Sequence, residues 1–151
     1  MRPTAEHVRE AVLDALAGDV PNARVLDLFA GTGALGLEAI SRGARLADFV
    51  EFRPASLHAL RANVAALKLR DRTRIFKKDA VRFAAELLED QYDLAFVDPP
   101  YESRQLDLVL ASWQATGFSR LLVAEHARVH ALPPGAWTRR FDDTVITVYR
   151  R

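Results

Sequence analysis

The chain has 151 residues, with 21 basic and 20 acidic side chains, a formal net charge of +1 and no cysteine. This length predicts a single domain, 1–151, that buries a substantial core without disulfide bonds. The near-neutral charge excludes a general electrostatic demand for a polyanionic partner, although it permits nucleic acid. The lack of cysteine fits a reducing cytoplasm and excludes a thiolate nucleophile. No apolar run reaches membrane-spanning length, so we expect a cytoplasmic protein without a membrane partner.

Short apolar runs alternate with amphipathic ones along the chain, as in a parallel sheet connected by helices. We predict a first helix that is capped by Thr4 and ends near Gly18. The next elements are predicted in chain order: a strand over 24–29, a helix over 34–41, a strand over 47–50, a helix over 54–67, a strand over 74–76, a helix over 80–88, a strand ending at residue 98, a helix over 106–116 and a strand over 121–124. The segments 137–141 and 144–149 then predict an antiparallel hairpin.

Asp98-Pro99-Pro100-Tyr101 directly follows the apolar run 92–97, which is typical of a buried strand. The two prolines keep the backbone extended, so their carbonyl groups cannot enter a helix. A carboxylate, an aimed carbonyl and an aromatic ring together can accept N–H bonds from an exocyclic amine while stacking on its base. We therefore predict that Asp98, Pro99, Pro100 and Tyr101 catalyse methylation of an amino group, with a simple strand end and proline turn as the competing interpretation.

The segment from Asp27 to Gly36 contains the pattern GxGxxG between the first strand and the next helix. Its glycines let backbone amides approach a ligand closely. Nicotinamide-dependent dehydrogenases place the same glycines in the same turn to bind a pyrophosphate. Asp27 would repel a pyrophosphate but attract the ammonium group of S-adenosylmethionine (SAM). We therefore predict a SAM site formed by Asp27, Phe29, Gly31 and Gly33.

Two further carboxylates end predicted strands. Glu51 lies about 20 residues after Gly31, the separation at which an acidic side chain meets ribose hydroxyls. Asp79, followed by Ala80, could accept a bond from the adenine amine of the cofactor, and capping of the next helix is an equally good interpretation. Because ligands of open α/β sheets bind at the carboxyl ends of the strands, we expect all these carboxylates at one edge.

Several motifs resemble the RsmD-type methyltransferases, which modify a guanine N2 amine in bacterial 16S ribosomal RNA. The resemblance spans nearly the whole chain and rests on these segments: Arg2-Pro3-Thr4, Val8-Arg9-Glu10, Asp27-Leu28-Phe29-Ala30-Gly31-Thr32-Gly33-Ala34-Leu35-Gly36-Leu37-Glu38-Ala39, Asp98-Pro99-Pro100-Tyr101 and Val123-Ala124-Glu125-His126. It implies the Rossmann-like fold of class I SAM-dependent methyltransferases, with a mostly parallel seven-stranded sheet, a C-terminal antiparallel hairpin and helices on both faces. The implied partner is ribosomal RNA, within the small subunit or an assembly intermediate, bound by a monomer.

The resemblance also implies roles that the spacing of residues does not predict. Arg2, Pro3 and Thr4 are expected to fold over the methionine end of the cofactor, whereas Glu125 and His126 match the family without an assigned role. Members of the family usually carry a basic, glycine-containing segment before Arg-Pro-Thr, and here Met1 alone precedes it. We therefore expect a truncated chain, a misassigned start or a family member with weaker RNA binding.

Three side chains are predicted to contact the substrate: Tyr101, Arg104 and Lys78. The basic residues 68–72 are expected at the opposite edge of the sheet as a solvated face, because the helix before them runs away from the ligand edge. His126 and His130 have i, i+4 spacing but lack further ligands, so no metal is expected.

Other functions use some of the same residues. Asp-Pro-Pro-Tyr chemistry also serves methylation of adenine N6 in DNA or RNA, of cytosine N4 and of a protein glutamine. Residues 102–151 leave no room for a separate DNA-reading domain, which favours RNA over DNA. A non-catalytic cofactor-binding module and an NAD-binding dehydrogenase are the more distant alternatives.

Overall fold

A computed structural model describes residues 6–100 and 104–151, and within them helices alternate with strands. The elements in chain order are α1 (Glu6–Ala15), β1 (Arg24–Leu28), α2 (Ala34–Ser41), β2 (Leu46–Val50), α3 (Pro54–Ala66), β3 (Thr73–Phe76), α4 (Ala80–Ala85), β4 (Tyr92–Val97), α5 (Gln105–Thr116), β5 (Ser119–Ala127), β6 (Trp137–Phe141) and β7 (Thr144–Arg150). None of the helices in this part of the chain is long and apolar enough to cross a membrane.

The strands form one seven-stranded sheet in the order β3-β2-β1-β4-β5-β7-β6. Strands β1 to β5 are parallel to one another, whereas β7 is antiparallel to both β5 and β6. The strand order reverses between β1 and β4, and ligands of open α/β sheets bind beside such a reversal. The predicted fold is confirmed, including the C-terminal hairpin.

Apolar side chains fill both faces of this sheet. On one face, Val12 of α1, Ile40 of α2 and Leu60 of α3 belong to one buried cluster. On the other face, Ala84 of α4 and Val109 of α5 belong to a second cluster. Burying both faces explains why the central strands read as almost continuous apolar runs.

Two of the differences from the sequence-based prediction lie at the ends of α4 and β5. Helix α4 ends at Ala85 and not at Leu88, because Leu88 is 73% exposed and has no core to pack against. Strand β5 continues beyond Ala124 to Ala127, since β7 pairs with it along its length, from Leu121 with Arg150 to Ala127 with Thr144. The longer β5 brings Glu125 into the sheet.

Candidate active site

Carboxylates lie at the carboxyl ends of four neighbouring parallel strands. Asp27 is the penultimate residue of β1, which ends at Leu28 and not at the predicted Phe29. Glu51 directly follows β2, and Asp98 directly follows β4. Asp79 lies a few residues beyond the end of β3. The sheet order therefore brings these side chains to one edge, as predicted.

The glycine loop between β1 and α2 has an unusual backbone. Phe29, Gly31 and Gly33 have positive φ angles of 57°, 60° and 84°. A non-glycine residue with this geometry is uncommon, and such residues cluster at ligand sites. Phe29 is nevertheless buried, so packing of its ring in the core offsets the cost of the backbone conformation.

Gly36 has a packing role in addition to its place in the motif. A Cβ atom at this position would lie 2.5 Å from Cε1 of Phe49 and 3.2 Å from Oδ2 of Asp27. A side chain here would push α2 away from β2 or displace the Asp27 carboxylate. Gly36 thus lets the first turn of α2 lie close enough to Asp27 to hydrogen bond with it.

Asp27 is a buried carboxylate whose loss of hydration is only partly offset by hydrogen bonds. Its side chain is almost fully buried, and its Oδ2 accepts a 3.1 Å bond from the backbone N–H of Gly36. Among residues 6–100 and 104–151, no hydrogen bond to its Oδ1 is found. Burial raises the pKa of Asp27 from 3.8 to about 8; the Gly36 bond opposes this rise and the negative charge of Glu51 adds to it. A cationic ligand beside Asp27 would favour its ionised form.

Glu51 connects β2 to the glycine loop. Its Oε1 accepts a 2.9 Å bond from the N–H of Gly31, and its Oε2 accepts bonds of 3.0 and 2.9 Å from the N–H groups of Phe52 and Arg53. Each carboxylate oxygen has two lone pairs, so Oε1 can accept a further bond from a ribose hydroxyl. Contact with ribose remains a prediction, whereas the structure shows Glu51 holding the loop.

Asp79 caps α4. Its Oδ2 accepts a bond of 3.4 Å from the N–H of Arg82, which is long for this type of hydrogen bond. Ala80 is buried behind it as the first residue of the helix. The capping interpretation is therefore confirmed, and the bond to a cofactor adenine stays a prediction.

The proposed catalytic segment begins at Asp98. Asp98, Pro99 and Pro100 are partly exposed after the buried strand β4. Asp98 lines a small pocket with apolar side chains of α1, α2 and the sheet, and with Glu125 of β5. Tyr101, like Arg2, Pro3 and Thr4, lies outside the described residues.

The predicted substrate-contacting cations are exposed. Lys78 follows β3 at the carboxyl edge, and Arg104 immediately precedes α5. In contrast, the guanidinium group of Arg72 donates to the carbonyl oxygens of Ala44 and Arg45, which precede β2 at the other edge. The expected location of the basic residues 68–72 is thus supported by Arg72.

Two residues near the site had no predicted role. Phe52 is 53% exposed although it is a large apolar side chain at the ligand edge. Its position directly after the strand-end acid Glu51 could have indicated from the sequence that Phe52 lies at the ligand edge. Glu125 is 7% exposed and lines the pocket of Asp98. The family motif includes Glu125, but its burial could not be predicted from the sequence, because the extension of β5 depends on pairing with β7.

Comparison with known proteins identifies the family. Residues 1–139 match the family model described as "Conserved hypothetical protein 95". Ribosomal RNA small subunit methyltransferase D of Escherichia coli (strain K12) is 34% identical over 143 residues, covering 91% of this chain and 71% of that protein. The chain belongs to this RsmD-type family. The family expected from the motifs is confirmed, and with it the enzyme class, a SAM-dependent methyltransferase.

Solved structures agree with this family and fold. A hypothetical protein of Thermus thermophilus superposes with a TM-score of 0.85 at 30% identity, covering 99% of this chain and 88% of that chain. An RNA methyltransferase of Salinibacter ruber, solved in complex with S-adenosyl-L-homocysteine, superposes with a TM-score of 0.74 at 15% identity, covering 99% and 93%. At that identity the second protein shows the shared fold.

Proposed function

We propose that this RsmD-type protein methylates the exocyclic N2 amine of a guanine in small-subunit ribosomal RNA, with SAM as the methyl donor. The observation that carries the proposal is the position of Asp98, directly after β4, the strand next to β1, and therefore at the same edge of the sheet as the glycine loop and the buried Asp27. Asp98, which can accept an N–H bond from the amine, then lies at the same edge of the sheet as the proposed cofactor site. The names of the relatives support ribosomal RNA as the substrate.

The residues present fit SAM. Oδ1 of Asp27 is suited to its ammonium group, since the described residues supply no other donor to that oxygen. Glu51 would accept bonds from its ribose, and the exposed ring of Phe52 would stack on its adenine. When bound, SAM supplies a methyl group activated by attachment to a sulfonium.

Asp98 prepares the amine for attack. The N2 lone pair of guanine is delocalised into the ring, so the amine is a weak nucleophile. Hydrogen bonds from its N–H groups to Asp98 and to the Pro99 carbonyl favour a tetrahedral nitrogen and its developing positive charge. Loss of one preorganised group of this type costs about 2.7–4 kcal/mol in other enzymes.

Proton and charge balance follow from the same contact. With SAM bound, the nitrogen–carbon bond would form as the carbon–sulfur bond of the donor breaks, and sulfur would keep the electron pair. The nitrogen then carries an extra proton, which the Asp98 carboxylate can accept. Tyr101 is proposed to stack on the extruded base, an interaction worth about 1–3 kcal/mol. Exposed Lys78 and Arg104 are proposed to contact RNA phosphates.

The substrate is proposed to be the small subunit or an assembly intermediate, bound by a monomer in the cytoplasm. The test uses small subunits from cells that lack this protein, incubated with the purified enzyme and tritiated SAM. Nuclease digestion and mass spectrometry of the nucleosides should then show N2-methylguanosine and map its position. Label in N6-methyladenosine, or in protein alone, would contradict the proposal. Sedimentation of the enzyme at working concentration tests the monomer.

A further inference from the structure

Glu125 is a buried carboxylate near the carboxyl end of β5 that the proposed mechanism leaves without a role. It lies in β5 and is 7% exposed. Burying a carboxylate is costly, and even a buried ion pair is often no more stabilising than apolar side chains of similar volume. Its burial beside the substrate edge therefore favours a function over a contribution to stability.

The strand register places Glu125 beside Asp98. Val97 of β4 pairs with Ala124 of β5, so the next residues, Asp98 and Glu125, follow side by side. Neighbouring strands are about 4.8 Å apart. Phe96 and Val123, each two residues earlier, belong to the same core cluster, which shows that Asp98 and Glu125 continue the same face of the sheet.

Both carboxylates line one pocket. Its other walls are apolar side chains from α1, α2 and the sheet, among them Val12, Leu35 and Ile146. Asp98 and Glu125 each have another interaction within the protein. A carboxylate offers about four lone-pair sites, so each can accept a further hydrogen bond. Pairing with Ile146 of β7 fixes the backbone of Glu125, and the preceding Ala124 pairs with Val97 of β4.

A second carboxylate beside Asp98 could distinguish guanine from the other bases that carry an amine. Guanine carries its N1–H directly beside the N2 amine, so its edge presents two adjacent hydrogen-bond donors. In adenine and in cytosine the ring nitrogen beside the amine is unprotonated and is an acceptor. Two carboxylates side by side would accept both donors of guanine, whereas one of them would face a lone pair in adenine or cytosine.

We infer that Glu125 accepts the N1–H of the guanine whose N2 amine is held by Asp98, and that it thereby selects guanine among amine-bearing bases. This inference rests on the proposed function. Glu125 acts here as a specificity residue, because the bond that it makes lies one atom away from the reacting amine. His126, by contrast, has its ring nitrogens bonded to Ala127 O and to Oγ1 of Thr147.

The test compares guanine with 2-aminopurine, which keeps the 2-amino group but has an unprotonated N1. The methylated position is first mapped as described above, and 16S RNA carrying either base there is made by splinted ligation and reconstituted into small subunits. The wild-type enzyme should prefer guanine in kcat/KM by about 10- to 100-fold, the effect of losing a hydrogen bond to a charged group. Comparable rates on the two bases would overturn the inference without any variant.

The variant Glu125→Gln sharpens the test, because its amide N–H can donate to the N1 of 2-aminopurine. The preference for guanine should fall by at least about 10-fold relative to the wild type. Glu86→Gln, at the exposed end of α4, is the matched control and should keep the wild-type preference. An unchanged preference in a folded, SAM-binding Glu125→Gln enzyme would refute the role of Glu125. Failure of the wild type to methylate guanine would instead count against the proposed function.

Discussion

Asp98 is the side chain whose removal should separate chemistry from cofactor binding. Asp98→Ala removes the acceptor of the amine N–H but none of the residues proposed to hold SAM. We expect kcat to fall by about 100- to 1,000-fold, with an unchanged Kd for SAM. Tritiated-methyl transfer to small subunits measures the first quantity, and calorimetry measures the second. Asp71→Ala, an exposed change in the basic segment 68–72, should leave both unchanged, and near-normal turnover of Asp98→Ala would exclude Asp98 from catalysis.

Asp27 should have the opposite profile. Asp27→Asn keeps the shape of the side chain but removes the charge that attracts the cofactor ammonium, so SAM should bind roughly 10- to 100-fold more weakly. Calorimetric titration checks this, with Asp71→Asn as the control. Glu51→Ala should also weaken binding, partly because the N–H groups of Gly31, Phe52 and Arg53 lose their acceptor. Wild-type affinity in both variants would contradict the proposed cofactor site.

At the scale of single elements, the start of α2 is the most constrained segment. In Gly36→Ala, the new methyl group would meet the ring of Phe49 and the carboxylate of Asp27. Overpacking of this kind costs about 1–3 kcal/mol of unfolding free energy. Urea denaturation measures it. Gly18→Ala is the control, because nothing lies within 4 Å of its added Cβ atom. Equal midpoints for the two variants would show that α2 shifts freely.

Elements with periodic apolar patterns could be predicted well from the sequence. The bounds of α2 match residue for residue, because a glycine before Ala34 and a glycine after Arg42 limit a clear apolar face. The full length of β5 could not be predicted, since residues 125–127 become strand only through pairing with β7. Long-range partners of this kind leave no local pattern.

The candidate site shows the same division. The strand-end acids could be found because a polar residue after a buried run is visible in sequence. The positive φ of Phe29 and the bond from Gly31 to Glu51 could not, because both arise from closure of the loop onto β2. Sequence patterns thus indicated which residues gather at the edge but not how they hold one another.

For the whole molecule, the buried Asp27 makes stability depend on pH. The pKa of Asp27 is about 8 in the folded protein, compared with 3.8 for an aspartate without this burial. Between these two values the folded state retains a proton that the unfolded state has lost. Without cofactor, the free energy of unfolding should therefore fall as pH rises from about 4 to 8. In Asp27→Asn this contribution is absent. Urea unfolding at pH 5 and pH 8.5 measures this effect: the wild type should lose more unfolding free energy between the two pH values than Asp27→Asn does. An equal loss in the two proteins would disprove the effect.

Strand β7 follows both of its neighbours in the chain yet lies between them. Until residues 144–150 insert, one side of β5 is an unpaired edge, which is a template for aggregation. Ile146 of β7 also forms part of the wall around Asp98 and Glu125. A polypeptide that stops before Thr144 would thus lack both a protected edge of β5 and part of the wall beside Asp98 and Glu125. We therefore expect truncated products to aggregate and to lack methyltransferase activity.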